Sequence, residues 1–210
     1  MFVTTAIYLI VGLGNPCIQY AKTVHNAGFM FVDYLASSLD FPEFKLHTKF
    51  DVLYTEKIID GNKFIIIKPQ TYMNLSGRAV QQFASFYRIK PENILVAHDD
   101  IDLKKNNIKI KLGGSSGGHN GIKNIDELIG NSYWRIRIGV GRPENTEMDV
   151  RNYVLSNIPE EQIGNNNKIF EIISNNIKDL ITNTDKTKVI NKIKSEINKL
   201  NICISEKKTH

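Results

Sequence analysis

The stretch from Gly12 to Gly28 carries an asparagine and a histidine whose side chains could act on a substrate together. Asn15 follows an apolar run, Ile7 to Val11, that is typical of a buried strand. His25 comes just before residues with helical apolar spacing, so we expect it at a helix start. Open α/β sheets bind ligands at such strand-to-helix connections. A neutral histidine can remove a proton near pH 7, and an asparagine amide both donates and accepts hydrogen bonds.

Further polar residues lie in comparable positions along the chain. They are Asn74, Asp99, His119 and Asn120. Each has an ordinary explanation when taken singly, because asparagine often serves a turn and aspartate often caps a loop. As a group they differ, because several lie at the predicted ends of strands or at helix starts. The group therefore indicates a functional site at one end of the predicted sheet.

The elements that must position these residues alternate between strands and helices. Asp60-Gly61 between two β-rich runs predicts a hairpin. Isoleucines spaced along 169–180 and 190–200 predict two C-terminal helices. The pattern favours the α/β class: a single-domain α/β sandwich with a twisted, mixed, mainly parallel sheet and helices on both faces. We expect one domain over residues 1–204 and a frayed tail over 205–210.

The composition allows an acidic partner and indicates no membrane segment. The chain has 210 residues and a net charge of +5, with a pI of about 9.1. Such a charge permits a polyanionic partner without requiring one. Cys17 and Cys203 are far apart and have neither metal-site nor disulfide-framework spacing. We therefore expect a reducing, cytoplasmic location and no bound metal, and we find no apolar stretch long enough to span a membrane.

Three glycine-containing motifs suggest other functions. Gly12-Leu13-Gly14 resembles the start of a dinucleotide fingerprint, but the position of its third glycine is Cys17. The segment 113–118 has the glycine spacing of a phosphate-binding loop, but His119 and Asn120 replace its lysine and hydroxyl residue. The same segment contains Gly-x-Ser-x-Gly twice, with Ser115 or Ser116 as a possible nucleophile. A serine hydrolase stays open as an alternative, although few histidines follow these serines.

Two alternating runs near the glycine-rich segment are basic on one side. Lys109 and Lys111 share one face of a predicted strand, and Arg135 and Arg137 share one face of another. A solvated basic face is the simplest interpretation. A second interpretation is a phosphate-binding surface.

Several blocks of the chain closely resemble bacterial peptidyl-tRNA hydrolases. Six of them agree in order and spacing between about residues 7 and 157: Gly-Leu-Gly-Asn-Pro (12–16), Tyr20 with Thr23 to Gly28, Lys68 to Gly77, His98 to Asp102, Gly113 to Gly121, and Arg135 to Pro143, accompanied by Tyr153-Val154-Leu155. Beyond these blocks we expect a helical tail. Six ordered blocks are far more specific than any single motif.

This resemblance implies an esterase that cleaves the bond between a peptide and the 3′ ribose of tRNA, and so recycles tRNA from stalled translation. It implies a cytoplasmic monomer with no cofactor and no metal, whose partner is the acceptor end of peptidyl-tRNA. His25 corresponds to the general base and Asp99 to its partner, while Asn15, Asn74 and Asn120 correspond to residues that place substrate and water. The remaining expected substrate contacts are Tyr20, Tyr72, Met73 and His119 around the site, with Lys109, Lys111 and Arg137 at a tRNA phosphate.

The chain departs from the family pattern at Cys17, where related proteins usually have glycine. If the turn requires a positive φ, a cysteine there is strained. A second hypothesis from another class is a non-catalytic RNA-binding module on the same fold. No segment resembling a transit peptide precedes Ile7, which disfavours the plant-organelle branch of such modules.

Overall fold

The fold is built around one seven-stranded sheet. The computed structural model describes residues 5–144 and 147–206. The strands in this part of the chain are β1 (Ile7–Gly12), β2 (Lys45–His47), β3 (Val52–Ile59), β4 (Asn62–Pro69), β5 (Ile94–Asp100), β6 (Ile108–Leu112) and β7 (Trp134–Gly139). The α-helices are α1 (Ala27–Ser38), α2 (Ser76–Phe86), α3 (Asn120–Ile129), α4 (Val150–Val154), α5 (Glu160–Thr182) and α6 (Thr187–Glu206).

The sheet is mixed, as the sequence predicts, but the expectation of a mainly parallel sheet is wrong, because three of its six strand pairs are antiparallel. Its strand order is β2-β3-β4-β1-β5-β7-β6. The central strands β4, β1, β5 and β7 are parallel to one another, while the pairs β2–β3, β3–β4 and β6–β7 are antiparallel. Parallel pairing is therefore confined to the centre, where β1 and β5 end side by side. Crevices at the carboxyl ends of such strands are the usual ligand sites of α/β folds.

Helices cover both faces of the sheet, which confirms the predicted layers. Along β1, Leu9 and Val11 pack against one core with α2 and α3. Ile10 between them packs against the other core, which contains residues of α1, α5 and α6. This alternation follows from the twofold period of a strand. The central strands are apolar on both faces because both are covered.

Most predicted elements are present, and the differences are local. The hairpin of β3 and β4 turns at Asp60 and Gly61, which both have positive φ (48° and 78°) as a tight hairpin turn requires. The two predicted C-terminal helices are α5 and α6. The short elements β2 and α4 were not predicted.

The last helix extends into the segment predicted to be frayed. Helix α6 includes residues 205 and 206, and the rest of the predicted frayed tail, 207–210, lies outside the described residues. Among the described residues, no helix combines the length and apolar character needed to cross a bilayer.

Candidate active site

A cavity of about 530 Å³ opens beside the carboxyl ends of β1 and β5. Most of the residues that the sequence singled out line this cavity, although they come from four separate parts of the chain. They are Asn15, His25, Tyr72, Met73, Asn74, Asp99, His119 and Asn120. The sequence therefore identified residues that lie around one space. Their catalytic and binding roles stay predictions.

Asn15 is fixed by a pair of hydrogen bonds from Asn26. The Asn15 backbone N–H donates to Asn26 Oδ1 (2.8 Å), and Asn26 Nδ2 donates to the Asn15 carbonyl oxygen (3.0 Å). The side-chain oxygen of Asn15 accepts from the backbone N–H of Met73 at 3.0 Å. Asn15 thus connects the loop after β1 to the segment before α2. Because its oxygen is used in this contact, its NH₂ group is the donor that it can offer to a ligand.

His25 is positioned by the close approach of α1 to the sheet. It lies in a 3-10 turn, Val24–Asn26, directly before α1. At Gly28 a Cβ atom would lie 2.5 Å from the Leu13 backbone nitrogen and would overlap the Ala97 carbonyl oxygen. Only glycine fits there, so the start of α1 rests against the ends of β1 and β5. This packing brings His25 next to Asp99 at the end of β5.

Asp99 receives hydrogen bonds from two imidazole rings. His25 Nδ1 lies 3.0 and 3.1 Å from its two oxygens, and His119 Nε2 lies 3.0 Å from Oδ1. The Asp99 side chain is 3% exposed. Burial alone would raise its pKa, but the charges and hydrogen bonds of His25 and His119 outweigh burial and hold the Asp99 pKa well below its usual range. Asp99 is therefore an ionised acceptor.

The ionised carboxylate fixes the tautomer of both rings. His25 must carry its proton on Nδ1, which leaves Nε2 as the atom able to accept a proton. His119 must carry its proton on Nε2, while its Nδ1 accepts from the Ile122 backbone N–H at 3.3 Å and caps α3. Burial lowers the pKa of His25, but the charge and hydrogen bond of Asp99 outweigh it, and the net pKa is raised. Such a ring can act as a base near neutral pH.

A third histidine, His98, forms a hydrogen bond with the backbone of Asp99. Its ring is 3% exposed and lies 4.9 Å from the His119 ring, and its Nδ1 donates to the Asp99 carbonyl oxygen at 2.7 Å. Burial is the main cause that lowers the His98 pKa well below its usual value, and the charge of the neighbouring His119 lowers it further. This ring is therefore neutral. His98 belongs to one of the blocks that resemble the family, but no role was predicted for it. Its orientation depends on the local path of β5, which no sequence pattern reveals.

The same contacts bear on the metal and serine interpretations. One ligand atom from each of His25, Asp99 and His119 lies within 4.8 Å of the others, close enough to consider a single cation. Here each of these nitrogens faces Asp99 as a hydrogen-bond donor, so we assign the cluster as a hydrogen-bond network. Both nitrogens of His119 are engaged, by Asp99 and by the Ile122 N–H. His119 is therefore not arranged to activate Ser115 or Ser116.

Other lining residues lie outside the set of substrate contacts that the family resemblance implies. One wall consists of α4 and the residue after it: Val150, Arg151, Val154 and Leu155. This five-residue helix is too short to show a periodic pattern. Ile101 and residues 116–118 complete the lining, together with His98 and Asp100. The mixed apolar and polar lining is typical of sites that bind organic ligands.

The predicted phosphate contacts lie beside the cavity rather than in its lining. In the β6–β7 register Lys109 opposes Arg137 and Lys111 opposes Arg135, so all four side chains share one face. Arg137 Nε donates to Asp100, which itself lines the cavity. The pKa of Lys111 is lowered, mainly by burial and then by the positive charges of Arg137, Arg135 and Lys109. An anion bound among these cations would reduce the repulsion between their charges.

Two sequence expectations are modified by the structure. Arg135 does not belong to a solvated basic face, because only 1% of it is exposed. Tyr20, expected near the substrate, lies in the 3-10 turn Ile18–Tyr20 and outside the cavity lining. The residue at the start of that turn, Cys17, has φ 83° and ψ 144°, so the turn does require a positive φ.

Comparisons with known proteins identify the family of the chain. The model of the family described as peptidyl-tRNA hydrolase matches residues 9–201. A peptidyl-tRNA hydrolase of Rickettsia felis is 45% identical over 185 residues, covering 88% of this chain and 98% of its relative. One from Wolbachia pipientis wMel is 47% identical over 186 residues, covering 89% and 99%. The crystal structure of peptidyl-tRNA hydrolase from Acinetobacter baumannii is similar with a TM-score of 0.83 and 39% identity, covering 90% of this chain and 94% of that one. The chain belongs to the peptidyl-tRNA hydrolase family.

Proposed function

We propose that the chain hydrolyses the ester bond between a peptide and the 3′ ribose of tRNA, with His25 as the base that activates water. The observation that carries this proposal is the His25–Asp99 pair at 3.0 Å, on the wall of the cavity, in a member of this family. An ester needs only an activated water for hydrolysis, and a histidine in this tautomer provides the base. The relatives named above are peptidyl-tRNA hydrolases, which supports the choice of substrate.

In the proposed reaction, His25 Nε2 takes a proton from water as the water oxygen attacks the ester carbonyl carbon. The resulting imidazolium is stabilised by Asp99, which stays ionised. The tetrahedral intermediate then expels the 3′ oxygen of the ribose, and the proton on Nε2 passes to that oxygen. The products are tRNA with its 3′ hydroxyl and the peptide carboxylic acid, which loses its remaining proton to solvent and becomes a carboxylate. The raised pKa of His25 helps the ring hold the proton until the leaving oxygen needs it.

Neutral amide groups are suited to the negative charge that develops on the carbonyl oxygen. Asn15 can offer its NH₂ group, and Asn74 and Asn120 line the same cavity. Positioned donors of this kind stabilise an oxyanion without a change in their own protonation. Asn120 also begins α3, whose positive end favours negative charge nearby. We propose these three residues as the groups that orient the ester and the water.

We propose that Lys109, Lys111 and Arg137 bind one phosphate near the acceptor end of the tRNA. Their shared sheet face and the lowered pKa of Lys111 support this role. Asp100 contacts Arg137 and also lines the cavity, so the phosphate surface adjoins the reaction site. We further propose that the protein acts as a monomer in the cytoplasm, where translation produces its substrate. Light scattering of the purified chain tests the monomer.

The test of the function is hydrolysis of an N-acetylated aminoacyl-tRNA by the purified chain. We expect release of the N-acetyl amino acid and of intact tRNA, and no burst of a covalent intermediate. Binding of the tRNA without hydrolysis would favour the RNA-binding module instead. The double variant Ser115→Ala with Ser116→Ala is the matched control for the serine mechanism, and we expect it to retain most of the activity. Loss of nearly all activity in this control would favour a serine nucleophile.

A further inference from the structure

Arg135 is a fully buried cation that connects three parts of the fold. It belongs to β7, and its side chain is 1% exposed. Its Nη2 donates to Asp126 Oδ1 of α3 at 2.6 Å, and its Nη1 donates to the carbonyl oxygen of Ser115 at 3.0 Å. The planar guanidinium can make both contacts at once, which a lysine ammonium on a shorter stem cannot reproduce. One side chain thus joins β7, α3 and the segment before α3.

Tyr133 completes this buried network. Its hydroxyl donates to Asp126 Oδ1 at 2.8 Å, and the Arg135 guanidinium carbon lies 4.7 Å from the centre of its ring. Tyr133 is fully buried, and burial raises its pKa, so the hydroxyl keeps its proton. The Arg135 charge loses its hydration on burial, whereas the Asp126 side chain stays 22% exposed, so the pair is an expensive way to stabilise a core. The network is therefore better explained by what it holds in place than by stability alone.

The segment that it holds is the glycine loop, residues 113–119. Gly113, Gly114, Gly117 and Gly118 all have positive φ there. A chain so rich in glycine loses much backbone entropy when it is fixed in one conformation, so it needs anchors. The Gly113 N–H donates to the Tyr133 carbonyl oxygen at 2.9 Å, which fixes the start of the loop. The Arg135 contact to Ser115 fixes its middle, and the rest of the loop leads directly to His119 and Asn120.

We propose that Arg135 is a positioning residue that holds the glycine loop against the cavity and thereby places His119 and Asn120. The loop contributes Ser116, Gly117 and Gly118 to the cavity wall as well. A displaced His119 would no longer donate to Asp99, and a displaced Asn120 would no longer face the reacting ester. Small errors in such placement are costly, because reacting groups must be aligned closely. Only the kinetic consequences of this inference rest on the proposed function.

Arg135 is not itself a phosphate contact. It shares a sheet face with Lys109, Lys111 and Arg137, which would allow that interpretation from the register alone. Its guanidinium, however, is enclosed by Asp126, the Ser115 carbonyl and the Tyr133 ring. Reaching a tRNA phosphate would require Arg135 to leave its ion pair with Asp126. Its substitution should therefore alter turnover rather than the affinity for tRNA.

The test compares Arg135→Lys with Phe83→Leu in the full-length chain. Arg135→Lys keeps the charge opposite Asp126 but loses the second contact, to Ser115. Phe83→Leu is the control, because Phe83 is a fully buried core residue of α2 whose ring packs against His47, Phe50 and Tyr87 rather than the glycine loop. For each variant we would measure the melting temperature, amide hydrogen exchange of residues 113–119, and kcat and KM with peptidyl-tRNA. The exchange measurement needs no substrate, so it can fail separately from the hydrolase assignment.

We expect Arg135→Lys to increase exchange in the glycine loop and to lower kcat about tenfold, with KM nearly unchanged. Phe83→Leu should lower the melting temperature without either effect. Equal changes in the two variants would make Arg135 an ordinary core residue and overturn the inference. A rise in KM at constant kcat would also overturn it, in favour of a tRNA contact. If Arg135→Lys does not fold, Tyr133→Phe is tested in its place, and unchanged loop exchange in that variant overturns the inference too.

Discussion

His25 Nδ1 lies 3.0 Å from one oxygen of Asp99 and 3.1 Å from the other, so the carboxylate contacts the ring through both oxygens. This relationship joins the 3-10 turn before α1 to the end of β5, residues that are 74 positions apart in sequence. It places the proton on Nδ1 and leaves Nε2 as the acceptor. It also raises the pKa of His25, so the pH dependence of the reaction should report directly on this contact.

We predict that Asp99→Asn slows the chemical step strongly and moves the acid limb of the pH profile to lower pH. In the parent, activity should fall as the pH drops through the raised pKa of His25, because the protonated ring cannot act as a base. Removal of the Asp99 charge lowers that pKa, so His25 stays neutral to lower pH. The rate nevertheless falls because the imidazolium loses its stabilising charge. Single-turnover rates against pH measure both effects, and a loss of affinity with normal turnover would make Asp99 structural.

We predict that His119→Leu moves the acid limb in the opposite direction, to higher pH. His119 Nε2 donates to the same Asp99 oxygen as His25, so its removal leaves the carboxylate a stronger partner for protonated His25. His119→Gln is the matched variant, because its amide can still donate to Asp99. The same pH profiles test this prediction. A slower reaction with an unshifted acid limb in His119→Leu would show that the ring contributes only to binding or packing.

We predict that Lys109→Ala, Lys111→Ala and Arg137→Ala each weaken the binding of full-length peptidyl-tRNA. Each lost phosphate contact should reduce the slope of log affinity against log salt by roughly 0.7–0.9. A short peptidyl-adenosine lacks the tRNA phosphate, so the three variants should cleave it as slowly as the parent does. Lys63→Ala is the control, because Lys63 lies near the start of β4, which β1 and β5 separate from the β7–β6 pair. Equal damage to both substrates would contradict the phosphate surface.

We predict that Cys17→Gly stabilises the protein by about 1 kcal/mol, because a glycine adopts the positive φ of this turn without strain. Chemical denaturation measures the change in the free energy of unfolding. Cys17 is also an exposed free thiol. Oxidants that inhibit the parent but not the variant would place the thiol close enough to affect catalysis. A loss of stability in Cys17→Gly would show that the turn does not carry the expected strain.

The sequence predicted the long elements and the polar residues at strand ends, because both depend on local patterns. The apolar run from Ile7 to Val11 predicted a buried strand, and the Asp60-Gly61 pair predicted a hairpin. Strand β2 could not be predicted in this way, since three residues show no period and their pairing with β3 determines the element. Helix α4, with five residues, was missed for the same reason.

The burial of individual polar side chains could not be predicted from the sequence either. The alternating pattern placed Arg135 and Arg137 on one face but could not show that Arg135 is enclosed. Its burial depends on Asp126 of α3 and on the Tyr133 ring, which tertiary packing brings together. His98 is comparable, because its inward orientation follows from a contact with the Asp99 backbone. Sequence patterns indicate where such residues lie along an element, and packing decides which partners they meet.

The most direct test of this account is the single-turnover rate of peptidyl-tRNA hydrolysis by His25→Ala beside the parent. His25 lies in a short turn at the surface of the cavity, so we expect the variant to fold with little change in its melting temperature. Loss of a general base should lower the rate by about 10²–10⁴-fold, with substrate affinity largely retained. A folded variant whose rate falls by less than about tenfold would contradict the assignment of His25 as the base, because another group would then be activating the water.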